Sequence, residues 1–158
     1  MHYLVCAIIE QLQFDLSTAA RAGQQAHDSA THSENIADNK YDTLAVEAAY
    51  LAHGQSMRIA QLQQFIGLYQ HYQRPIFNNQ SAIQVGALVC VENEQKQQSR
   101  LFIGPAAGGL SISSQWGLVQ VITPTTPLAR LLISKYVDDE VDSEINQRKV
   151  CFRIVSIE

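Results

Sequence analysis

The chain has 158 residues, 46% of them hydrophobic and 16% charged, with a formal net charge of −4. That supports one ordinary domain or two small ones, and the acidic balance argues against a surface that holds nucleic acid through clustered Lys and Arg. Cys6, Cys90 and Cys151 are odd in number, far apart and without a C-x-x-C pair, which argues against a disulfide scaffold or a zinc site. No apolar run approaches the ~20 residues that cross a bilayer. Residues 1–9 have an apolar core but lack the basic start and cleavage site of a leader, so a cytoplasmic location away from membranes is expected.

Residues 3–30 contain no Pro and one Gly. They carry a 3–4 seam of Val5, Ile9, Leu12, Leu16, Ala19, Gly23, Ala26 and Ala30. Residues 42–72 carry a second, Ala45, Ala48, Ala52, Gln55, Ile59, Leu62, Ile66 and Tyr69. Sustained 3–4 spacing predicts helices that pack along each other at a shallow angle. Large seam residues come first in one helix and last in the other, so an antiparallel hairpin brings large against large at its base and Ala against Ala near its turn. At 1.5 Å per residue, a helix of 28 residues is roughly 40 Å long.

Between the two seams the chain turns acidic. Asp28, Glu34, Asp38, Asp42 and Glu47 face a single cation, Lys40. An acidic hairpin tip, near 31–42, is well solvated and free to bind a cation that another molecule supplies. An ordinary solvated turn explains the same residues, and acids near the start of the second helix suit its macrodipole.

Pro75 ends the second helix, because proline disfavours helix at the residue before it. The expected organisation is a hairpin over 1–74, a linker over 75–81 and a small α+β domain over 82–158. Residues 83–94 read as a strand running into a turn, with 99–103 as its hairpin partner. Residues 104–109 are a Gly-rich loop, 117–123 another strand, and Pro127 opens a short helix over 128–133. Residues 137–142 and 149–157 close the sheet, with a turn at Asp138 and Asp139.

The run Thr126-Pro127-Leu128-Ala129-Arg130-Leu131-Leu132-Ile133-Ser134-Lys135, followed by Val137-Asp138-Asp139-Glu140-Val141, resembles the carboxyl-terminal signature of the bacterial Gre (GreA/GreB) transcript-cleavage factors. The family form is Ser-Pro-(Leu/Ile)-(Gly/Ala)-Arg-x-Leu-Ile-Gly-Lys before an Asp-Glu-Val-like strand. Ile83, Val85, Gly86, Ala87 and Val89 fit its opening strand, and Phe152-Arg153-Ile154-Val155-Ser156-Ile157 its ending. Ser33-Glu34-Asn35 and Asp38-Asn39-Lys40-Tyr41-Asp42 resemble the Gre tip, so the likeness spans nearly the whole chain.

The resemblance implies an α+β fold in which an antiparallel coiled-coil hairpin precedes an FKBP-like antiparallel-sheet domain with one short helix. It implies that the globular domain docks on bacterial RNA polymerase, through Pro127, Leu128, Arg130, Lys135, Asp139 and Glu140, while the hairpin enters the secondary channel. There, tip acids would help hold a second magnesium belonging to the polymerase and promote cleavage of backtracked RNA, acting on the transcript 3′ end indirectly. The factor would have no cofactor and no complete active site of its own. Aligned on Ser33-Glu34-Asn35 the family's Glu falls on Glu34; aligned on Tyr41 its Asp falls on Glu34, with Asp38 close to the second position. Glu34 and Asp38 are therefore the expected magnesium-holding pair, with Asp28 and Asp42 behind them. A body of this kind with a weakened tip would instead occupy the channel and inhibit.

Outside that resemblance, a non-transcriptional protein-binding module is the rival reading, and an independent prolyl isomerase a third. His27, His32 and Asp28 fall short of a zinc set. The 104–109 loop lacks the Gly-Lys-Ser/Thr ending of a phosphate loop, and Ser113 and Ser114 lack a G-x-S-x-G context. A hairpin that satisfies its own seam is expected to be monomeric.

Overall fold

The computed structural model describes residues 2–31, 43–145 and 148–158. Its elements run α1 (His2–Thr31), α2 (Thr43–Gln70), β1 (Leu88–Asn93), β2 (Gln98–Ile103), β3 (Ser111–Ser114), β4 (Gly117–Ile122), α3 (Pro127–Leu132), β5 (Glu140–Ile145) and β6 (Arg148–Ile157). The architecture is a helical hairpin followed by a six-stranded sheet with one short helix, an α+β fold. The chain divides into two compact units, one of Ile9–Gln70 and one of Met1–Ile8 with His71–Glu158.

In the hairpin unit the long 3–4 spacing does what it predicts. Leu12, Ala19 and Ala26 of α1 are buried, as are Leu62, Ile66 and Tyr69 of α2. Gly23 lies where the helices approach: a Cβ placed on it would stand 3.4 Å from Gln55 Cβ and 3.8 Å from Ile59 Cδ1. Small residues at such a crossing let the backbones come close. The first two turns of α1 depart from the expected seam. Leu4 and Ile8 are fully buried while Val5 and Ile9 are only half-buried, because Leu4, Ile8 and Leu12 follow at i, i+4 and i+8 on the helix face that Ala19 and Ala26 continue.

The sheet has the strand order β3-β4-β2-β1-β6-β5. The expected hairpin of β1 and β2 forms in antiparallel register, with Leu88 opposite Phe102 and Val91 opposite Ser99. Among the described residues β2 and β4 alone pair in parallel. The sheet is therefore mixed, antiparallel at its other four pairings. The cause is β3, four residues missing from the sequence reading, which takes the edge antiparallel to β4 and returns the chain in β2's direction.

The strand expected from residue 83 begins only at Leu88. Gly86 has φ +96°, which breaks extended backbone, and Ile83 bonds elsewhere: its N–H donates to Lys135 O at 2.9 Å, and its carbonyl accepts from Ser134 N at 2.8 Å. The first closing strand starts and ends later than expected, at Glu140–Ile145, since the turn at Asp138 (φ +73°) holds Val137 to Asp139 out of the ladder, while the second, Arg148–Ile157, lies within one residue of its expected bounds.

One core cluster joins Ile83, Val89, Leu101, Ile103, Leu132 and Ile154, each at most 3% exposed. Leu88 and Phe102 are also buried, so β1 reads as an unbroken apolar run from Leu88 to Val91, the signature of a strand covered on both faces there.

Candidate functional site

The carboxyl-terminal run folds into a corner built from α3, the turn after it and the start of β5. Thr126 is the N-cap of α3 and Pro127 its first residue, where a missing N–H costs nothing. Thr126 Oγ1 donates to Thr123 O at 2.8 Å instead of capping the helix amides. A six-residue helix shows one face inward and one outward. Ala129 and Leu132 are fully buried and Leu128 packs against the core, leaving Pro127, Arg130 and Leu131 exposed.

The chain leaves α3 through Ser134, a non-glycine residue at φ +69°. The hydrogen bonds between Ile83 and Ser134–Lys135 then anchor the exit, and Lys135 and Tyr136 stand exposed. The next turn is tightly tied. Asp139 Oδ2 accepts from Tyr136 N at 2.9 Å, Asp138 N donates to Ile154 O at 2.9 Å, and Ile154 N donates to Asp139 O at 2.9 Å. Asp138 also pairs with the Arg153 guanidinium, and that bond together with the Asp138 charge holds the Arg153 pKa above its usual value.

The six expected docking residues therefore separate into two groups. Leu128 and Asp139 serve the fold, the first packed against the core and the second as the acceptor that fixes the turn. Pro127, Arg130, Lys135 and Glu140 face outward, and neither Arg130 nor Lys135 has a carboxylate within ion-pair distance among the described residues. Leu131, 38% exposed, and Tyr136, 50% exposed, join them. Sequence reading missed both, although helical spacing from Ala129 and Leu132 already turns Leu131 outward.

Of the tip acids, Glu34, Asp38 and Asp42 lie outside the described residues. Asp28 falls in the last turn of α1, exposed, with Oδ1 accepting from Gln24 Nε2 at 2.7 Å. A carboxylate there opposes the helix macrodipole, by about 0.3–1 kcal/mol for an exposed group, and a cation nearby relieves it. Among the described residues no three His, Cys, Asp or Glu side chains converge to hold a metal.

No family model matches this chain, and no curated protein matches it in sequence. Solved structures do. GreA factor homolog 1 of Thermus thermophilus is 16% identical over 95% of this chain and 94% of its own, with a TM-score of 0.40. Thermus aquaticus Gfh1 is 19% identical over 94% and 92%, at 0.42. A GreA/GreB elongation factor from Nitrosomonas europaea is 12% identical over 73% and 94%, at 0.34. The likeness is one of fold.

A polar concavity of about 140 Å³ opens at the β1, β5 and β6 ends between Glu92, Glu94, Lys96, Glu140, Cys151 and Arg153. Two of its charges are spent on each other: Lys96 Nζ lies 3.0 Å from Glu92 Oε1, and Gln98 Nε2 donates to the other Glu92 oxygen at 3.2 Å. Burial, a hydrogen bond to Asp142 and the nearby carboxylates push the Cys151 thiol up, so it stays protonated and a poor nucleophile. The aromatics that an isomerase would gather are dispersed. Phe102 is in the core, Phe77 and Phe152 pack on it, and Trp116 sits in the β3–β4 turn.

Proposed function

We propose that this chain is a Gre-like transcription factor that acts on bacterial RNA polymerase, the sheet unit docking and the hairpin entering the secondary channel. The observation that carries this reading is the α3 corner. There, the run that resembles the Gre signature presents Arg130 and Lys135 unpaired beside exposed Pro127, Leu131 and Tyr136. Unpaired cations around an apolar centre suit a protein surface carrying acids, and the cost of desolvating them is offset only when such a partner arrives. The acid-rich segment between α1 and α2 supports the second half of the reading.

Magnesium takes oxygen ligands and is commonly held by one or two carboxylates with phosphate and water. Asp28 fits that donor chemistry, being exposed and placed where the helix end favours a neighbouring cation. In the proposal Glu34 and Asp38 share a magnesium with the polymerase, and the ion supplies water activation and charge neutralisation. This chain's part is to deliver carboxylates and to hold them on a stiff pair of helices; the chemistry belongs to the polymerase.

RNA cleavage in a purified backtracked elongation complex tests the reading, with the natural protein and with Glu34→Ala plus Asp38→Ala. Faster cleavage that the double substitution abolishes supports a cleavage factor. Binding without stimulation makes the protein a channel-occupying inhibitor, and failure to bind polymerase at moderate salt leaves the non-transcriptional module.

A further inference from the structure

α2 carries apolar side chains on two opposite faces. One face meets α1 at Gln55 and Ile59 and buries Leu62. At 3.6 residues per turn, the other, half a turn away, presents Val46, Tyr50, His53 and Met57 at 4-3-4 spacing. Val46, Tyr50 and Met57 are 53%, 75% and 62% exposed, and Val46, Ala49, Tyr50 and His53 line a shallow apolar depression of about 440 Å³. An outward apolar stripe of this kind belongs to a helix that meets a second surface.

Two independent features say what that surface is. Gly54 sits beside the stripe in mid-helix, where Gly costs about 1 kcal/mol relative to Ala. Unlike Gly23 it has no neighbour that requires it: a Cβ placed there meets nothing within 4 Å. Gly67 of the same helix is equally open, so Gly54 permits a close approach from outside the hairpin rather than requiring one. The charges are the second feature. Glu47 and Arg58 are the acid and the base of α2, both exposed and both on the Gly54 flank of the stripe. Arg58 donates to Gln61 at 2.8 Å, and neither residue has an ion pair among the described residues.

We propose that this face pairs with the same face of a second copy, helix against antiparallel helix, in place of the monomer expected from a self-satisfied seam. Tyr50 of one copy lies over Gly54 of the other, Val46 beside Met57, and Glu47 opposite Arg58. The three pairs share one centre at Ala52, to within half a residue, so a single two-fold axis satisfies all of them. The axis keeps the charged flank of one helix against the charged flank of the other, which gives two symmetric Glu47–Arg58 pairs. Three turns of helix bury less than a standard interface, so the pairing is weak and concentration-dependent. It does not rest on the reading as a polymerase factor.

Sedimentation equilibrium of the full chain is the test. The natural protein should approach the mass of two chains with rising concentration. Glu47→Arg or Arg58→Glu alone should weaken association at least about tenfold, and an equimolar mixture of the two variants should regain it, since each supplies the charges the other lacks. Gly54→Leu should raise helicity by circular dichroism and abolish the dimer, which separates lost pairing from lost folding. A one-chain mass at every concentration overturns the proposal, as does a dimer indifferent to the charge reversals or to Gly54→Leu.

Discussion

The Arg74 guanidinium closes over Gly86, its Nε donating to the Gly86 carbonyl at 2.6 Å. A Cβ on Gly86 would stand 2.6 Å from Tyr72 Oη and 3.2 Å from Arg74 Cγ, and φ +96° is a conformation other residues avoid. Tyr72 is held there because its hydroxyl donates to Val85 O at 2.7 Å. The Arg74 guanidinium also lies 5.2 Å from the centre of the Phe77 ring, while its Nη2 is buried without a partner. Burial lowers the Arg74 pKa, against the opposing pull of Tyr72 and Glu158.

Gly86→Ala should therefore destabilise the sheet unit. Backbone strain of about 1–2 kcal/mol adds to loss of the Tyr72 bond, about 1 kcal/mol, for a total near 2–3 kcal/mol. Urea unfolding followed by Trp116 fluorescence measures it, and an unchanged midpoint would refute the clamp.

Ser134 stands where the Gre-like signature has Gly, yet its φ is +69°. Ser134→Gly removes the left-handed penalty but loosens the unfolded chain, so the expected gain is about 0.5–1 kcal/mol. A rise in thermal midpoint checks it; a fall would mean that the serine hydroxyl contributes more than the backbone loses.

Arg130→Glu with Lys135→Glu should leave unfolding by urea almost unchanged, because both side chains are exposed and unpaired. Polymerase binding should weaken at least about tenfold, with most of the loss in association rate and most visible at low salt. Equal binding by the double variant would remove the α3 corner from the proposed docking surface.

The Glu92 carboxyl is held below its usual range by hydrogen bonds from Lys96 and then Gln98. A depressed folded value contributes stability above the unfolded pKa, ~4.3, and the contribution is lost as pH falls through the folded value. Glu92→Gln should lower the thermal midpoint slightly at neutral pH, where the contribution is present, and converge on the natural protein as pH falls below ~4.3, so that its profile is flatter there. Thermal midpoints across the acid range decide it.

How much of this was legible in the sequence follows from the range of each interaction. α2's seam, the β1–β2 hairpin and the Pro127 helix rest on local periodicity and turn chemistry, and they appear where those signals lie. β3 is Ser-Ile-Ser-Ser, too short and too polar to carry a pattern, and the parallel β2–β4 pairing depends on it. Leu4 and Ile8 displaced Val5 and Ile9 because the buried face follows the 3.6-residue period of the helix through Leu12, Ala19 and Ala26, where a heptad seam steps to the next position. At the α3 corner residue types were legible but orientation was not: Asp139 looks like a surface acid until its bond to Tyr136 N is seen.

The closest test of the hairpin itself is Gly23. The space above it, 3.4 Å to Gln55 Cβ, admits one methyl at ordinary van der Waals distance and nothing larger. Gly23→Ala therefore fits the crossing and gains helix propensity, for an expected stabilisation of up to about 1 kcal/mol. Gly23→Leu gains the same propensity but must push α2 away, which costs about 1–3 kcal/mol in a packed seam. The two substitutions should move the helical unfolding midpoint in opposite directions. Propensity alone would move both upward, so a stabilising leucine would mean that the helices do not meet at Gly23.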